Sequence, residues 1–142
     1  MTDGPFVARE CLIHLDTGAY ADNGPLVADR AAERVMGAYR WPNVKISSYA
    51  VYTNSTPAGS FRSIGAPQAA WASESQVDII AHALGLDPLE VRLKNLVEKG
   101  EEFRPGRRPL DADPATGLRL AAEAVGLRAR VLGQLHRAWG LP

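Results

Sequence analysis

The segment Gly-Ser-Phe-Arg-Ser-Ile-Gly-Ala-Pro-Gln, residues 59–68, joins a predicted strand to a predicted helix. Its glycines favour a tight loop in the first part. Pro67 is suited to the first turn of a helix, because the N–H that proline lacks would be unpaired there. A loop entering a helix presents backbone N–H groups that favour negative charge or a polarised oxygen. Arg62 adds a fixed positive charge; a tight connection with an ordinary surface arginine is the alternative interpretation.

Two strands are predicted before this loop. Residues 5–16 alternate at the two-residue period of a strand, with one apolar face formed by Val7, Cys11, Ile13 and Leu15. Residues 44–53 form the second strand. Its apolar face changes between Ile46 and Tyr49, so we expect a β-bulge near residues 47–48.

Two longer helices are predicted, one before and one after the second strand in the sequence. The first begins at Pro25 and extends to about Gly37, with inward side chains expected at Leu26, Ala31, Val35 and Met36. The second begins at Pro67 and extends to about Leu84, with inward side chains expected at Ala70, Val77, Ile80 and Leu84.

Two further helices begin at strong start signals. Asp87 is a capping residue that precedes Pro88, and Asp113 precedes Pro114 in the same way. Together, these patterns predict an α+β fold in which three or four helices pack on short strands. Residues 127–140 could form one more amphipathic helix, in a tail of changed composition.

The composition is that of an ordinary globular protein. The 142 residues are 46% hydrophobic, and 16 Lys and Arg residues balance 16 Asp and Glu residues. No basic excess therefore indicates nucleic acid or an anionic membrane as a partner. No apolar run approaches the roughly 20 residues of a membrane span, and the first residues lack the features of a signal peptide. The single cysteine, Cys11, excludes a disulfide framework and favours a reducing cytoplasm.

Standard catalytic motifs are absent from the sequence. It contains neither G-x-G-x-x-G nor a P-loop pattern, and it contains no H-E-x-x-H zinc motif. Cys11 and His14 would point to opposite faces of a strand. We therefore interpret Cys11 as part of the core.

The 59–68 segment resembles the G-A-F-R-G-F-G-x-P-Q segment of the molybdenum hydroxylases, the xanthine dehydrogenase and aldehyde oxidase family, in their large molybdopterin-binding subunit. Further stretches resemble that family in the same order and with similar spacing. They are D-T-G-A-Y with a following G-P at 16–25, A-Y-R-W-P-N-V at 38–44 and A-L-G-L-D-P-L-E-V-R-L-K-N-L at 83–96. The resemblance covers roughly residues 5–125.

The resemblance implies that residues 1–126 are part of a molybdenum-binding domain, and that residues 127–142 are a tail outside the family pattern. It implies an oxidoreductase that hydroxylates a carbon of an aldehyde or N-heterocycle at a molybdenum–molybdopterin centre, with water as the oxygen source. The implied partners are the remainder of the molybdenum subunit, subunits or domains that carry iron–sulfur clusters and FAD, and a small-molecule substrate.

The resemblance also implies roles for individual residues. Phe61 and Arg62 match the part of the family's loop that approaches the cofactor, and Arg62 sits where a backbone amide of the family lies near the molybdenum. Any role of Arg62 toward the metal is therefore indirect. Ile64 and Arg30 match substrate positions, which hold a stacking phenylalanine and a substrate-orienting arginine in xanthine-type enzymes. A charge on a helix surface is the alternative interpretation of Arg30.

Departures from the family pattern limit the expected activity. Ile64 has no aromatic face to stack on a flat purine, which favours aldehydes or other heterocycles over xanthine. The family's upstream metal loop, its downstream pterin-binding half and its terminal catalytic glutamate have no counterpart here. We therefore predict no catalytic residue, and we expect the chain to be inactive alone. The alternative is a freestanding α+β interaction or structural domain without catalytic activity.

Overall fold

The computed structural model describes residues 4–102, 106 and 108–127. In chain order, its elements are β1 (Arg9–Gly18), α1 (Gly24–Arg34), β2 (Val44–Tyr52), α2 (Ala66–Leu84), α3 (Pro88–Asn95) and α4 (Pro114–Ala124). Two strands and four helices in this part of the chain confirm the predicted α+β class. The helix predicted for 127–140 lies, except for its first residue, outside the described residues.

The strands β1 and β2 form a parallel two-stranded sheet, and α1 connects them. The register pairs Cys11 with Ile46 and Ile13 with Ser48. Side chains of this face pack against a small buried cluster. It consists of Ala31 on α1, Val35 at the C-terminal end of α1, and Ala69 on α2. One face of the sheet is therefore covered by helices. The predicted core position of Cys11 is confirmed.

The predicted bulge near residues 47–48 is wrong. The pairing of the strands continues without a shift through this stretch, and the irregularity falls between Asp16 and Gly18 at the end of β1. Tyr49 faces away from the helices and is 54% exposed. No bulge is needed, since the apolar side chain of Tyr49 never turns toward the core.

At the start of α1, the buried residue is one position later in the sequence than the predicted one. Val27, Ala28 and Ala31 are buried, whereas Leu26 is 46% exposed. The buried side chains follow the three- and four-residue spacing of one helix face. Leu26 lies outside that face, although it is the larger apolar residue.

The inward face of α2 differs from the prediction for a related reason. Its buried residues are four apart in sequence, namely Ala69, Ser73, Val77 and Ala81. Ala70 and Leu84, which were predicted to point inward, are exposed. Val77 is fully buried and Ile80 packs against the core, as predicted. The buried stripe also includes a serine, which a search for apolar residues does not find.

Polar side chains join the elements inside the fold. Buried Arg9 of β1 donates to Ser73 Oγ and to Gln76 Oε1, each at 2.8 Å. Arg92 of α3 donates to Glu74 Oε2 at 3.0 Å and to Asp78 at 2.7 Å. These contacts attach β1 and α3 to the same helix, α2.

The predicted helix caps are confirmed. The Asp87 carboxylate accepts from the backbone N–H of Leu89 at 2.6 Å, and Asp113 accepts from that of Thr116 at 3.0 Å. Across the described ranges, no helix has both the length and the apolar character needed to cross a membrane.

Candidate functional site

The loop after β2, residues 53–65, lies over the carboxyl end of β1. Its backbone N–H groups and carbonyls pair with those of residues 17–19 at 3.0–3.1 Å, in the bonds Thr53 N to Gly18 O, Ala19 N to Ser55 O and Ala58 N to Thr17 O. An added Cβ at Gly18 would collide with the backbone of Thr56. The loop therefore covers the edge of the sheet where α/β folds commonly bind ligands.

The Asp16 carboxylate holds the ends of the two strands together. Its Oδ1 accepts from the hydroxyl of Thr53 and from the backbone N–H of Gly18, each at 2.7 Å. The hydrogen bond from Thr53, followed by that from Gly18, lowers the pKa of Asp16. The ionised carboxylate of Asp16 thus helps to attach the loop to the end of the sheet.

A second contact joins this loop to the start of α1. The Asn23 carboxamide donates to Ser60 Oγ at 2.7 Å and accepts from the backbone N–H of Ser60 at 3.0 Å. This contact was not among the sequence-based predictions. The adjacent Asn23, Gly24 and Pro25 indicate only a turn, and nothing in their spacing points to a residue 37 positions away.

Residues 61–64 form a tight turn immediately before α2. The Ile64 N–H donates to the Phe61 carbonyl at 3.2 Å. The last residues before the helix have left-handed backbones, with φ of 69° at Ser63, 46° at Ile64 and 77° at Gly65. Such angles are unusual for side chains with a Cβ, above all for a β-branched residue.

The turn presents polar backbone groups and exposed side chains. The side chain of Phe61 is 86% exposed, and Arg62 is exposed. Among the described residues, the backbone N–H groups of Phe61, Arg62 and Ser63 have no hydrogen-bond partner. Successive outward N–H groups bind anions and polarised oxygens. These residues therefore suit a ligand that offers oxygen or sulfur acceptors.

The predicted site residues are only partly brought together. Phe61, Arg62 and Ile64 share the one turn, and Ile64 is half-buried. Arg30 lies on α1, where its guanidinium pairs with Glu33 at 2.8 Å on a partly exposed surface. The structure thus gives Arg30 a surface ion pair, as in the alternative interpretation.

Other candidate sites are weaker. A shallow groove of about 450 Å³ is lined by Asp29, Ala32, Glu33, Met36 and Ile46. None of the predicted site residues lines this groove. Within the described ranges, no group of three or more His, Cys, Asp or Glu side chains is placed to hold a metal ion.

Comparison with known proteins shows a consistent relationship. The chain is 41% identical over 105 residues to the nicotinate dehydrogenase large molybdopterin subunit of Eubacterium barkeri. The aligned region covers 74% of this chain and 25% of that subunit. It is 37% identical over 107 residues to the aldehyde oxidoreductase of Megalodesulfovibrio gigas, covering 75% of this chain and 12% of that protein. The chain therefore spans a quarter or less of these curated relatives.

Solved structures share the fold as well. Quinoline 2-oxidoreductase from Pseudomonas putida superposes with a TM-score of 0.79 at 31% identity, over 97% of this chain and 18% of that chain. The family model described as "Molybdopterin cofactor-binding domain" matches residues 1–96, which is more than half of the sequence. The four resembling stretches all lie within the matched residues. The chain belongs to the molybdopterin cofactor-binding domain family.

Proposed function

We propose that this chain is the part of a molybdenum hydroxylase large subunit that brings the 61–64 turn to the molybdenum–molybdopterin cofactor. The observation that carries the proposal is the exposed turn itself, with N–H groups at Phe61, Arg62 and Ser63 that have no partner in the described part of the chain. The proposal assigns residues 1–126 to this partial domain and leaves residues 127–142 as a separate tail.

The proposed reaction is the hydroxylation of an aldehyde or N-heterocycle carbon. A carbon–hydrogen bond breaks, a carbon–oxygen bond forms with oxygen from water, and two protons and two electrons are released. The bound cofactor would supply this chemistry. The electrons would pass to iron–sulfur clusters and FAD on partner subunits or domains.

The chain's own residues would position and polarise the cofactor and the substrate. The backbone N–H of Arg62, which has no partner in the described part of the chain, would donate a hydrogen bond to an acceptor atom of the cofactor. Ile64, beside it, would contact the substrate through an aliphatic surface, which suits an aldehyde or a small heterocycle better than a stacked purine. Arg30 would orient the substrate through guanidinium N–H groups other than the one that pairs with Glu33 at 2.8 Å.

The structure offers a surface for the remainder of the subunit. Parallel sheets are normally covered on both faces. Here the face opposite the helices leaves large apolar side chains exposed, namely Leu12, Tyr49 and Val51. We propose that the rest of the molybdenum subunit covers this face, and that the chain has no turnover without it. The single cysteine is consistent with assembly in the cytoplasm.

Paired substitutions at Arg62 test the role of its N–H. Position 62 is the second residue of the turn closed by the Ile64 N–H and Phe61 carbonyl, where proline is well tolerated. Arg62→Pro deletes the N–H, whereas Arg62→Ala keeps it and removes only the side chain. Each variant is co-expressed with the remaining part of a molybdenum subunit, and the complex is purified through this chain.

The readouts are bound molybdenum, bound pterin and dye-coupled oxidation of aldehydes and N-heterocycles. We expect a molybdenum-containing complex with the unchanged chain, activity close to that level with Arg62→Ala, and about 100-fold lower kcat with Arg62→Pro. Equal activity of the two variants would contradict the role of the amide. A compact monomer that takes up neither partner nor cofactor would support the freestanding-domain alternative.

A further inference from the structure

We propose that Asn23 is a positioning residue, which fixes the backbone of the 61–64 turn through its two hydrogen bonds to Ser60. This inference rests on the proposed function, because it assigns Asn23 a role in orienting the amide at Arg62. It concerns a residue on a different element, since Asn23 immediately precedes α1 whereas the turn precedes α2.

The side chain of Asn23 is diverted from the role that its position suggests. Asn23 occupies the N-cap of α1, where asparagine normally accepts a hydrogen bond from the first turn of its own helix. It makes no such capping bond. Both polar atoms of the carboxamide instead contact Ser60, one as donor to Oγ and one as acceptor from the backbone N–H. The start of α1 therefore lacks a side-chain cap, and the Asn23 side chain holds the loop at Ser60 instead.

The two bonds restrict Ser60 more than one bond would. A single hydrogen bond allows rotation about its axis, whereas two bonds to one planar carboxamide fix the direction of the peptide that enters the turn. Ser60 is next to Phe61 in sequence, so the fixed peptide leads directly into the exposed N–H groups. Small displacements of groups that position reacting atoms have large effects on rate.

The neighbouring backbone fits closely around this contact. An added Cβ at Gly59 would lie 2.7 Å from Asn23 Oδ1 and 3.0 Å from a carboxylate oxygen of Asp22. Asp22 itself has a left-handed φ of 39°. The turn before α1 and the loop before α2 therefore meet closely at Gly59.

Three variants separate this role from general effects on folding. Asn23→Ala removes both hydrogen bonds. Asn23→Asp keeps an acceptor for the Ser60 N–H and can accept the Ser60 hydroxyl as a donor, so it should restore the contact. Asn54→Ala is the matched control, since Asn54 lies in the same loop and its side chain makes no hydrogen bond within the described part of the chain.

Amide hydrogen exchange, followed by mass spectrometry on the full chain, measures the position of the loop without any molybdenum. We expect exchange of the Ser60 amide, which donates to Asn23 Oδ1, to become about tenfold faster in Asn23→Ala, to return toward the original rate in Asn23→Asp and to stay unchanged in Asn54→Ala. Ser60→Ala, which loses only the hydroxyl bond, should give an intermediate rate and keeps the test valid if Asn23→Ala unfolds. Unchanged exchange in both Asn23→Ala and Ser60→Ala would overturn the inference.

The molybdenum-containing complex supplies a second readout. There, Asn23→Ala should lower kcat about tenfold with little change in KM, and Asn23→Asp should recover most of the loss. Faster exchange combined with an unchanged kcat would overturn the role toward the cofactor. If the unchanged chain forms no molybdenum complex, the proposed function fails, and the exchange rates still decide whether Asn23 positions the turn.

Discussion

Gly65 places its Cα directly against the backbone carbonyl of Val27. An added Cβ would lie 2.9 Å from that oxygen and 3.2 Å from the side chain of Ala31. Gly65 also has a φ of 77°, in the left-handed region that side chains avoid. The end of the loop therefore rests on α1 at a point where only glycine fits, immediately before α2 begins.

Gly65→Ala should destabilise the fold by about 2–4 kcal/mol, because it combines left-handed strain with a steric clash. Gly85 is the matched control, since it also has a left-handed backbone, with φ of 67°, but nothing lies within 4 Å of an added Cβ. Gly85→Ala should cost only about 1 kcal/mol. Urea denaturation measures both values, and equal losses would show that the contact with Val27 is not tight.

Ser63→Gly should stabilise the chain. Ser63 has a φ of 69° and an exposed side chain, so glycine relieves the left-handed strain without removing buried contacts. We expect a gain of about 0.5–1 kcal/mol, after the greater freedom of glycine in the unfolded chain is subtracted. Ser63→Ala keeps the strain and should give no gain in thermal denaturation. A similar midpoint for both variants would argue against strain at this position.

Asn95→Ala should be among the more damaging substitutions. The buried Asn95 carboxamide accepts from the Phe6 N–H at 2.7 Å and donates to the carbonyls of Gly4 at 2.8 Å and Val91 at 2.7 Å. Its removal leaves buried backbone groups without partners, at a cost of about 2–4 kcal/mol. Exposed Asn54→Ala should cost much less in the same denaturation experiment. Comparable losses would mean that water replaces the lost bonds.

Local signals predicted much of the architecture. The Asp–Pro pairs located the starts of α3 and α4, because both determinants lie within a few residues of each other. The alternation of β1 located its covered face at Cys11 and Ile13. Val7, which was predicted on the same face, precedes the strand and is 71% exposed. Parallel pairing did not follow from these signals, because it depends on contacts between residues about 35 apart, such as Cys11 and Ile46.

The polar contacts inside the fold were the least predictable part. Ser73 is fully buried because Arg9, 64 residues earlier, donates to its hydroxyl, and a hydrophobic pattern assigns serine to the surface. The candidate site shows the same limit. Its position was predictable from the glycines and proline of 59–68, whereas the left-handed Ile64 and the contact of Asn23 with Ser60 depend on how distant segments meet.

The contribution of the Asp16 carboxylate to the free energy of unfolding should depend on pH in the acidic range. Hydrogen bonds lower the folded-state pKa of Asp16, the one from Thr53 most strongly. Its stabilising effect is therefore complete above the unfolded pKa of about 3.9 and is lost as the pH falls through the lower folded value. The difference in unfolding free energy between the unchanged chain and Asp16→Asn should be constant near neutrality and shrink below about pH 4. Thr53→Val should weaken this dependence; an unaltered profile would contradict the assignment.

The outer face of the sheet should make the chain self-associate when it is alone. Leu12 is 61% exposed there, and Leu120 on α4 has the same exposed fraction. Leu12 lies beside other apolar side chains of a parallel sheet, a kind of surface that is normally covered. Leu12→Lys should therefore reduce association in sedimentation velocity more than Leu120→Lys does. Adding the remainder of a molybdenum subunit should compete with self-association, and equal effects of the two lysines would show that the sheet face is not the contact.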